Sequence, residues 1–290
     1  MFSENQNKVG VIGLGIIGKR VAKNLREADC HTYLWNRSPK TEPNFLGSPA
    51  EIADVADVIQ IFIRNGQDLV EVVEKMKEHI TSRHVIINHA TVDPESTKTA
   101  ANIVADAHGA FLDAPFTGSK MAAEKGALVY YVGGDPAVLD RVRPLLEISA
   151  KEILYLGDIG DATILKIITN MITASTVEVL AEALALTRAQ GIDPDKLAQA
   201  LEHNACGSTL TAMKLPTLIS ADYDAHFSLD NMFKDTQFAL DLANEQGLDL
   251  PSLSTTANVM FNGIQNGDGD ADFSVIGKRF NPDPYPTSEN

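Results

Sequence analysis

A glycine-rich turn between two short apolar segments constrains the fold of this chain more than any other feature. Residues 8–13 (KVGVIG) are typical of a buried strand, a helical pattern follows the turn to about Ala28, and residues 31–35 form a second apolar segment. Strand, glycine turn, helix and strand within ~30 residues make a βαβ unit, which we expect to bind a dinucleotide, the alternative being a glycine-rich turn that serves packing alone. Its glycines permit a tight turn, close approach of a pyrophosphate, and close packing of helix on strand. The predicted cofactor-binding residues here are Gly13, Leu14, Gly15, Ile16, Ile17 and Gly18.

The end of the second apolar segment indicates which dinucleotide binds. Enzymes that use NAD usually place an Asp or Glu there to hold the ribose 2′-hydroxyl. This chain has Asn36, Arg37 and Ser38 instead. A guanidinium with polar neighbours suits a 2′-phosphate through charge-assisted hydrogen bonds. We therefore expect these three residues to bind NADP, the alternative being that Arg37 is simply an exposed loop arginine.

Apolar segments continue to alternate with helical patterns as far as residue 156. Further strands are predicted at 57–63, 84–88, 109–114, 128–132 and 152–156. Helices are predicted between them at 69–80, 94–107 and 136–146. This alternation predicts a doubly wound, mostly parallel sheet with ligands at the carboxyl ends of its strands. The turns after the third to fifth strands should line the cofactor site and contain Ile63, Arg64, Thr91, Thr117, Gly118 and Ser119.

The pattern after Gly160 is helical, and its first segment is unusual. Ala162 to Gly191 is almost wholly apolar or small, lacks proline and ends on a glycine suited to a helix C-cap. A helix apolar nearly all round is expected to be buried, yet Lys166 and Asn170 lie four residues apart on one face of it. A buried lysine costs free energy unless it is paired or used. Either Lys166 snorkels near the first turn of the helix, or it donates a proton at a domain junction.

The remaining segments predict a helical second half. Residues 197–203, 209–215, 230–246 and 255–263 have helical periodicity or composition. We therefore predict an NADP-binding Rossmann domain over residues 1–161, followed by an all-α domain for substrate binding and dimerisation over residues 162–290. The long helix joins the two, and the cleft between domains is the expected place for a substrate.

Charge and composition exclude several classes of partner. The formal net charge of −15 argues against nucleic acid and anionic membrane surfaces, because both require basic patches. Charged side chains are spread along the long apolar segment, so no membrane-spanning helix is predicted. The polar N-terminus MFSENQNK lacks the apolar core of a signal peptide. We therefore expect a cytoplasmic protein.

No metal site or disulfide is expected. Cys30 and Cys206 are far apart and lack CxxC spacing, and two cysteines in a chain of this length fit a reducing compartment. The acidic segment 266–272 resembles the start of an EF-hand loop. However, Phe273 and Arg279 stand where that loop requires glycine and glutamate.

Five motifs together carry a family resemblance. They are the glycine turn, the segment Ala90-Thr91-Val92-Asp93-Pro94, the segment Asp113-Ala114-Pro115-Phe116-Thr117-Gly118-Ser119-Lys120, the pair Lys166 and Asn170, and the pair Lys234-Asp235 followed by Gly247 and Pro251. With these motifs the whole chain resembles the β-hydroxyacid dehydrogenases, which include 3-hydroxyisobutyrate dehydrogenase and tartronate semialdehyde reductase. The Gly118-Ser119-Lys120 segment is most similar to the glyoxylate/succinic semialdehyde reductase branch. Departures are Ala90 and Thr117, which replace serines, and Arg64, which stands where the family often has proline.

The resemblance implies roles for individual residues. Lys166 would donate the proton with Asn170 beside it, and Thr91 and Lys234 would contact the cofactor. The implied substrate-binding residues are Thr117, Gly118, Ser119, Phe227 and Asp235. Two of these assignments have simpler alternatives, because Lys234 and Asp235 could form a surface ion pair and Phe227 could belong to the core.

The implied activity is NADPH-dependent reduction of a small aldehyde acid such as glyoxylate or succinic semialdehyde. Two alternatives stay open, namely oxidation of 3-hydroxyisobutyrate or a related β-hydroxyacid, and a non-catalytic NADP-binding protein. The imine reductases share the fold but usually lack the lysine, so Lys166 counts against them. A homodimer or homotetramer is expected.

Overall fold

A computed structural model describes residues 8–280 of the protein. The chain divides into two compact units, Met1–Lys166 and Ile167–Asn290. The first unit is built on an eight-stranded sheet. Its strands are β1 (Lys8–Ile12), β2 (His31–Trp35), β3 (Val58–Ile61), β4 (Val85–Asn88), β5 (Ala110–Asp113), β6 (Phe116–Thr117), β7 (Leu128–Gly134) and β8 (Ala150–Gly157).

The sheet has the order β2-β1-β3-β4-β5-β7-β6, with β8 paired to β7. Strands β1 to β5 are parallel, whereas β7 runs antiparallel to β5 and β6 and parallel to β8. The register places the last residues of the five parallel strands side by side, namely Trp35, Ile12, Ile61, Asn88 and Asp113. The turns that follow these strands therefore leave the same edge of the sheet.

Within residues 8–166, which the structure describes, six α-helices belong wholly to the first unit. They are α1 (Gly18–Glu27), α2 (Pro49–Val55), α3 (Gly66–Met76), α4 (Pro94–Asp106), α5 (Lys120–Glu124) and α6 (Pro136–Leu146). Both faces of the sheet are buried, because Val9 and Val11 enter one hydrophobic cluster while Ile12 and Ile59 enter another. This confirms the predicted doubly wound, mostly parallel sheet.

Helices make up the second unit. Helix α7 (Asp161–Ala189) begins in the first unit and continues into the second. It is followed by α8 (Pro194–Glu202), α9 (Thr209–Ser220), α10 (Leu229–Glu245), α11 (Pro251–Gln265) and a 3-10 helix (Phe273–Phe280). A core cluster joins α7, α10, α11 and the 3-10 helix around Val177, Leu229, Met232, Met260 and Phe273.

The expectation that the long helix is buried all round was wrong. Ile172, Val179 and Leu186 of α7 are exposed by 56–64 % of their surface, and they lie seven residues apart on one face. Within residues 8–280, α7 is long and apolar enough to cross a membrane by length and composition, a test that core helices of water-soluble proteins also pass. The helix ends at a glycine as predicted, because Gly191 adopts a φ of 66° just beyond its last residue.

Candidate active site

The glycine turn after β1 contains glycines of two kinds. Gly13 has a φ of 94°, and a Cβ there would lie 1.9 Å from the Phe62 carbonyl oxygen. A Cβ at Gly18 would lie 2.0 Å from the Gly13 carbonyl oxygen. These two glycines are required by the backbone itself. A Cβ at Gly15, in contrast, would have no atom within 4 Å, so the space in front of this residue is open to a ligand.

The amino end of α1 is suited to an anion. Its N-cap position makes no side-chain hydrogen bond, and its first turn contains no acidic residue. Four other helices of the same unit, in contrast, are capped by Ser48, Asn65, Asp93 and Asp135. The first N–H groups of a helix and its positive dipole end attract phosphate. The open Gly15 and the uncapped α1 therefore fit the pyrophosphate of a dinucleotide.

The residues after β2 are fixed to the glycine turn. Asn36 accepts a hydrogen bond from the Leu14 N–H at 2.9 Å, and its amide donates to the Ser38 carbonyl at 2.9 Å. The Arg37 guanidinium forms an ion pair with Asp68 of α3. Arg37 is thus an exposed arginine with a carboxylate partner at the carboxyl edge of the sheet.

The turns after β3 and β4 meet at the same edge. Ile63 and Arg64 precede Asn65, whose side chain caps α3. A Cβ on Gly66 would lie 2.1 Å from the Ser96 hydroxyl, so the first turns of α3 and α4 pack closely. The half-buried Thr91 follows a turn in which Asn88 accepts a hydrogen bond from the Ala90 N–H.

His89 lies below this edge and is structural. It is buried, stacks on Phe62 with ring centroids 4.5 Å apart, and its Nδ1 lies 2.7 Å from the Ala114 carbonyl oxygen. Burial lowers the pKa of His89 to about 3, although the Ala114 carbonyl opposes that shift. The imidazole is therefore neutral near pH 7 and donates to the carbonyl.

The predicted substrate-binding segment after β5 forms a short strand and a tight turn. Thr117 pairs with Val129 of β7. Gly118 adopts a φ of 131° and packs against Leu128 and Ala122, so a side chain there would be strained. Ser119 occupies the N-cap position of α5, where its hydroxyl makes no capping hydrogen bond.

A buried carboxylate holds the first turn of α7. Asp113, at the end of β5, accepts hydrogen bonds from the N–H groups of Gly160 (3.2 Å) and Thr163 (2.9 Å) and from the Thr163 hydroxyl (2.8 Å). Burial raises the pKa of Asp113 to about 6, although these hydrogen bonds lower it in part. Lys166 lies three residues beyond Thr163 and is only 9 % exposed, which disfavours the snorkelling interpretation. Sequence reasoning missed this role of Asp113.

In the second unit, three predicted site residues form one connected chain of contacts. The Asn170 amide donates to Asp235 Oδ2 at 2.6 Å, and Lys234 Nζ lies 2.9 Å from Asp235 Oδ1. Asp235 is 1 % exposed. Lys234 and Asp235 therefore do form an ion pair, as the alternative supposed, but its carboxylate is buried and only the lysine side chain, 26 % exposed, reaches the surface.

Phe227 is half-buried and is held by a second polar cluster. Its ring packs edge-to-face on Phe273, and its N–H donates to Asp272 Oδ2 at 3.3 Å. Lys214 Nζ donates to Asp272 Oδ1 at 2.6 Å. Burial would raise the pKa of Asp272, but hydrogen bonds from Lys214 and Ser274 and the lysine charge outweigh it and lower the pKa. The sequence signal that could have indicated this polar cluster is a lysine inside the apolar segment 209–215.

Comparison with known proteins defines the class. Residues 8–157 match the family described as the NAD-binding domain of 6-phosphogluconate dehydrogenase. Residues 160–279 match the family described as NAD-binding of NADP-dependent 3-hydroxyisobutyrate dehydrogenase. The protein is therefore a nicotinamide-dependent oxidoreductase acting on CH–OH groups.

Comparison with individual relatives identifies the family to which the chain belongs. The chain is 29 % identical to glyoxylate/succinic semialdehyde reductase 2, chloroplastic, of Arabidopsis thaliana, over 92 % of this chain and 78 % of the relative. It is 29 % identical to 2-hydroxy-3-oxopropionate reductase of Escherichia coli, over 93 % and 95 %. The fold matches 3-hydroxyisobutyrate dehydrogenase of Mycobacterium tuberculosis with a TM-score of 0.87 at 22 % identity, covering 94 % of this chain and 98 % of that one. The chain belongs to the β-hydroxyacid dehydrogenase family.

Proposed function

We propose that this protein reduces a small aldehyde acid, such as glyoxylate or succinic semialdehyde, to the hydroxy acid with NADPH. The observation that carries the proposal is Lys166, a buried lysine on a helix whose first turn is fixed by Asp113. The substrate class is supported by the 29 % identity to a glyoxylate/succinic semialdehyde reductase. Oxidation of a β-hydroxyacid is the second candidate, favoured by the family match over residues 160–279.

Lys166 is the proposed proton donor. When bound, the nicotinamide supplies a hydride to the carbonyl carbon. The Lys166 ammonium then donates its proton to the developing alkoxide and stabilises the negative charge. Asn170 lies one turn further along α7 and is oriented by its hydrogen bond to Asp235. We assign Asn170 the role of orienting the reacting groups.

The loop after β5 is the proposed carboxylate-binding element. The hydroxyls of Thr117 and Ser119 and the N–H groups around Gly118 can donate hydrogen bonds to a carboxylate. Ser119 suits this role because its hydroxyl is not used to cap α5. Phe227, Lys234 and Asp235 are assigned to substrate and cofactor binding by the family resemblance.

NADP is the proposed form of the cofactor. The charge of Arg37 and the hydroxyl of Ser38 can hold a 2′-phosphate, and the first residues after β2 include no carboxylate to hold a 2′-hydroxyl. Ile63, Arg64 and Thr91 lie in neighbouring turns and complete the proposed cofactor contacts. The open Gly15 and the uncapped α1 would receive the pyrophosphate.

A substrate panel tests the proposed activity. Initial rates are measured for glyoxylate, succinic semialdehyde and tartronate semialdehyde with NADPH and NADH, and for 3-hydroxyisobutyrate with NADP and NAD. We expect the highest kcat/KM for an aldehyde acid with NADPH. A higher value for 3-hydroxyisobutyrate would favour the second candidate. No turnover with any pair, despite tight cofactor binding, would indicate a non-catalytic NADP-binding protein.

The variant Lys166→Ala tests the proton donor. We expect kcat to fall by about 10²–10⁴-fold, the usual contribution of a general acid, while the Kd for NADPH stays the same. The matched control is Lys278→Ala, because Lys278 is an exposed lysine of the 3-10 helix that pairs with Asp268. Near-normal turnover of Lys166→Ala would remove Lys166 from the mechanism.

We further propose that the protein is a cytoplasmic homodimer. The exposed face of α7 formed by Ile172, Val179 and Leu186 is suited to burial against a second copy of the chain.

A further inference from the structure

The ion pair between Arg37 and Asp68 lies at the proposed cofactor site. Arg37 follows β2, and Asp68 lies in the first turn of the helix after β3. In the sheet β1 lies between those two strands. The ion pair therefore spans the carboxyl end of β1, where the glycine turn begins.

Asp68 is the fixed member of this pair. Its N–H donates to Asn65 Oδ1 at 2.8 Å, and its Oδ2 accepts from Asn65 Nδ2 at 3.0 Å. Its other carboxylate oxygen meets the Arg37 guanidinium. The Asp68 side chain is 18 % exposed, whereas that of Arg37 is 70 % exposed. The carboxylate is thus held in place and partly shielded from water, while the arginine is free to present its remaining N–H groups to a ligand.

We propose that Asp68 is a specificity-determining residue that limits the preference for NADPH by neutralising part of the Arg37 charge. The inference rests on the proposed use of Arg37 for the 2′-phosphate. A phosphate held by Arg37 lies within a few ångströms of the Asp68 carboxylate, and two anions at that distance repel each other. NADH carries no 2′-phosphate, so Asp68 affects its binding little. Neither the glycine fingerprint nor the family resemblance assigns Asp68 a role.

Cofactor binding to Asp68→Asn tests the proposal without reference to turnover. Asparagine has nearly the shape of aspartate and can keep a hydrogen bond to Asn65. The single tryptophan, Trp35, directly precedes Asn36 and Arg37, so we expect its fluorescence to change when the cofactor binds. We expect the Kd for NADPH to fall about three- to tenfold in low salt and the gain to shrink at high salt. The Kd for NADH should stay within about twofold.

Asp57→Asn is the matched control. Asp57 directly precedes β3 and pairs with Arg83, so this variant removes the same charge at the opposite end of the same strand. Its NADPH affinity should equal that of the unmodified protein. A gain equal to that of Asp68→Asn would show a general effect of net charge and overturn the proposal. Weaker NADPH binding by Asp68→Asn, or an equal change for both cofactors, would also overturn it.

Arg37→Ala separates this inference from the proposed function. Selective loss of NADPH affinity in Arg37→Ala, together with no gain in Asp68→Asn, would overturn the role of Asp68 alone. Equal NADPH and NADH affinities in the unmodified protein and in Arg37→Ala would overturn the proposed use of NADPH itself. In Arg37→Ala/Asp68→Asn we expect a smaller gain than in Asp68→Asn alone, because without the guanidinium the 2′-phosphate is no longer held beside residue 68.

Discussion

At the scale of single residues, Asp113 links the end of a strand to the start of a helix. Its buried carboxylate accepts three hydrogen bonds from Gly160 and Thr163. Ionisation in this position is costly, because desolvation raises the pKa of Asp113 to about 6 from an ordinary 3.8. Its oxygens are the acceptors for the N–H groups that begin α7, the helix that leads to Lys166.

Asp113→Asn should change how stability depends on pH. The raised pKa means that the native state binds this proton more tightly than the unfolded chain. The stabilising contribution of Asp113 is therefore complete below about pH 4 and is lost as the pH rises through about 6. Asparagine does not titrate. The free energy of unfolding of the unmodified protein minus that of Asp113→Asn should thus fall by roughly 2.4 kcal/mol between about pH 4 and about pH 7. Urea titrations across this range measure it, and two parallel curves would contradict the prediction.

Candidate site residues could be selected from the sequence only where the signal was local. The three fingerprint glycines lie within six residues of one another, and Lys166 and Asn170 lie four residues apart. Each of these patterns can therefore be recognised in a single sequence. The Asn170–Asp235 hydrogen bond joins residues 65 positions apart. Neither that bond nor the pairing of Arg37 with Asp68 follows from periodicity, because both depend on how distant segments pack. The family resemblance named Asn170 and Asp235 but not their contact.

At the scale of elements, the glycine turn separates the requirements of folding from those of binding. Gly13 and Gly18 have no room for a side chain, whereas Gly15 does. The φ of Gly15 lies outside the left-handed region, so alanine is tolerated by the backbone. The absence of a side chain at Gly13 and Gly18 is thus required by the fold. At Gly15 it is explained only by the approach of a ligand.

Gly15→Ala should therefore weaken cofactor binding without destabilising the fold. We expect the Kd for the dinucleotide to rise by about tenfold or more, because a methyl group occupies the path of the pyrophosphate, while Tm is unchanged. Gly18→Ala provides the contrast and should lower the stability by about 1–3 kcal/mol through overpacking. Thermal unfolding and the Trp35 fluorescence titration measure both. An equal loss of Tm in the two variants would mean that Gly15 also serves the fold.

The longer elements were predicted well and the shortest were missed. Strands β1 to β5 follow from short apolar runs between turn signals, and α4 and α6 follow from periodicity and Pro at the first helical turn. Strand β6 has two residues and exists only because it pairs with β7. Helices α2 and α5, of seven and five residues, are too short to show a period.

At the scale of the whole molecule, the exposed apolar face of α7 bears on the oligomeric state. We expect a dimer of the 31.3 kDa chain in sedimentation equilibrium. The double variant Val179→Lys/Leu186→Lys should be monomeric, because two charges would have to be buried in the interface. Leu248→Lys, in the loop before α11, changes an equally exposed leucine and should remain dimeric. A monomeric unmodified protein would contradict the proposed assembly.

Helices α1 and α5 are tied together within the first unit. The Asn24 amide, buried on α1, donates to the Ala123 carbonyl at 2.8 Å, and Arg20 lies 4.0 Å from Glu124. For protein engineering, this contact between α1 and α5 means that both helices should be exchanged together. A chimaera that replaced residues 8–113 would leave the Ala123 carbonyl without its donor wherever the other dehydrogenase lacks an amide side chain at the position of Asn24. Grafts that aim to change cofactor use should therefore extend through residue 126 and so include the proposed carboxylate-binding loop after β5.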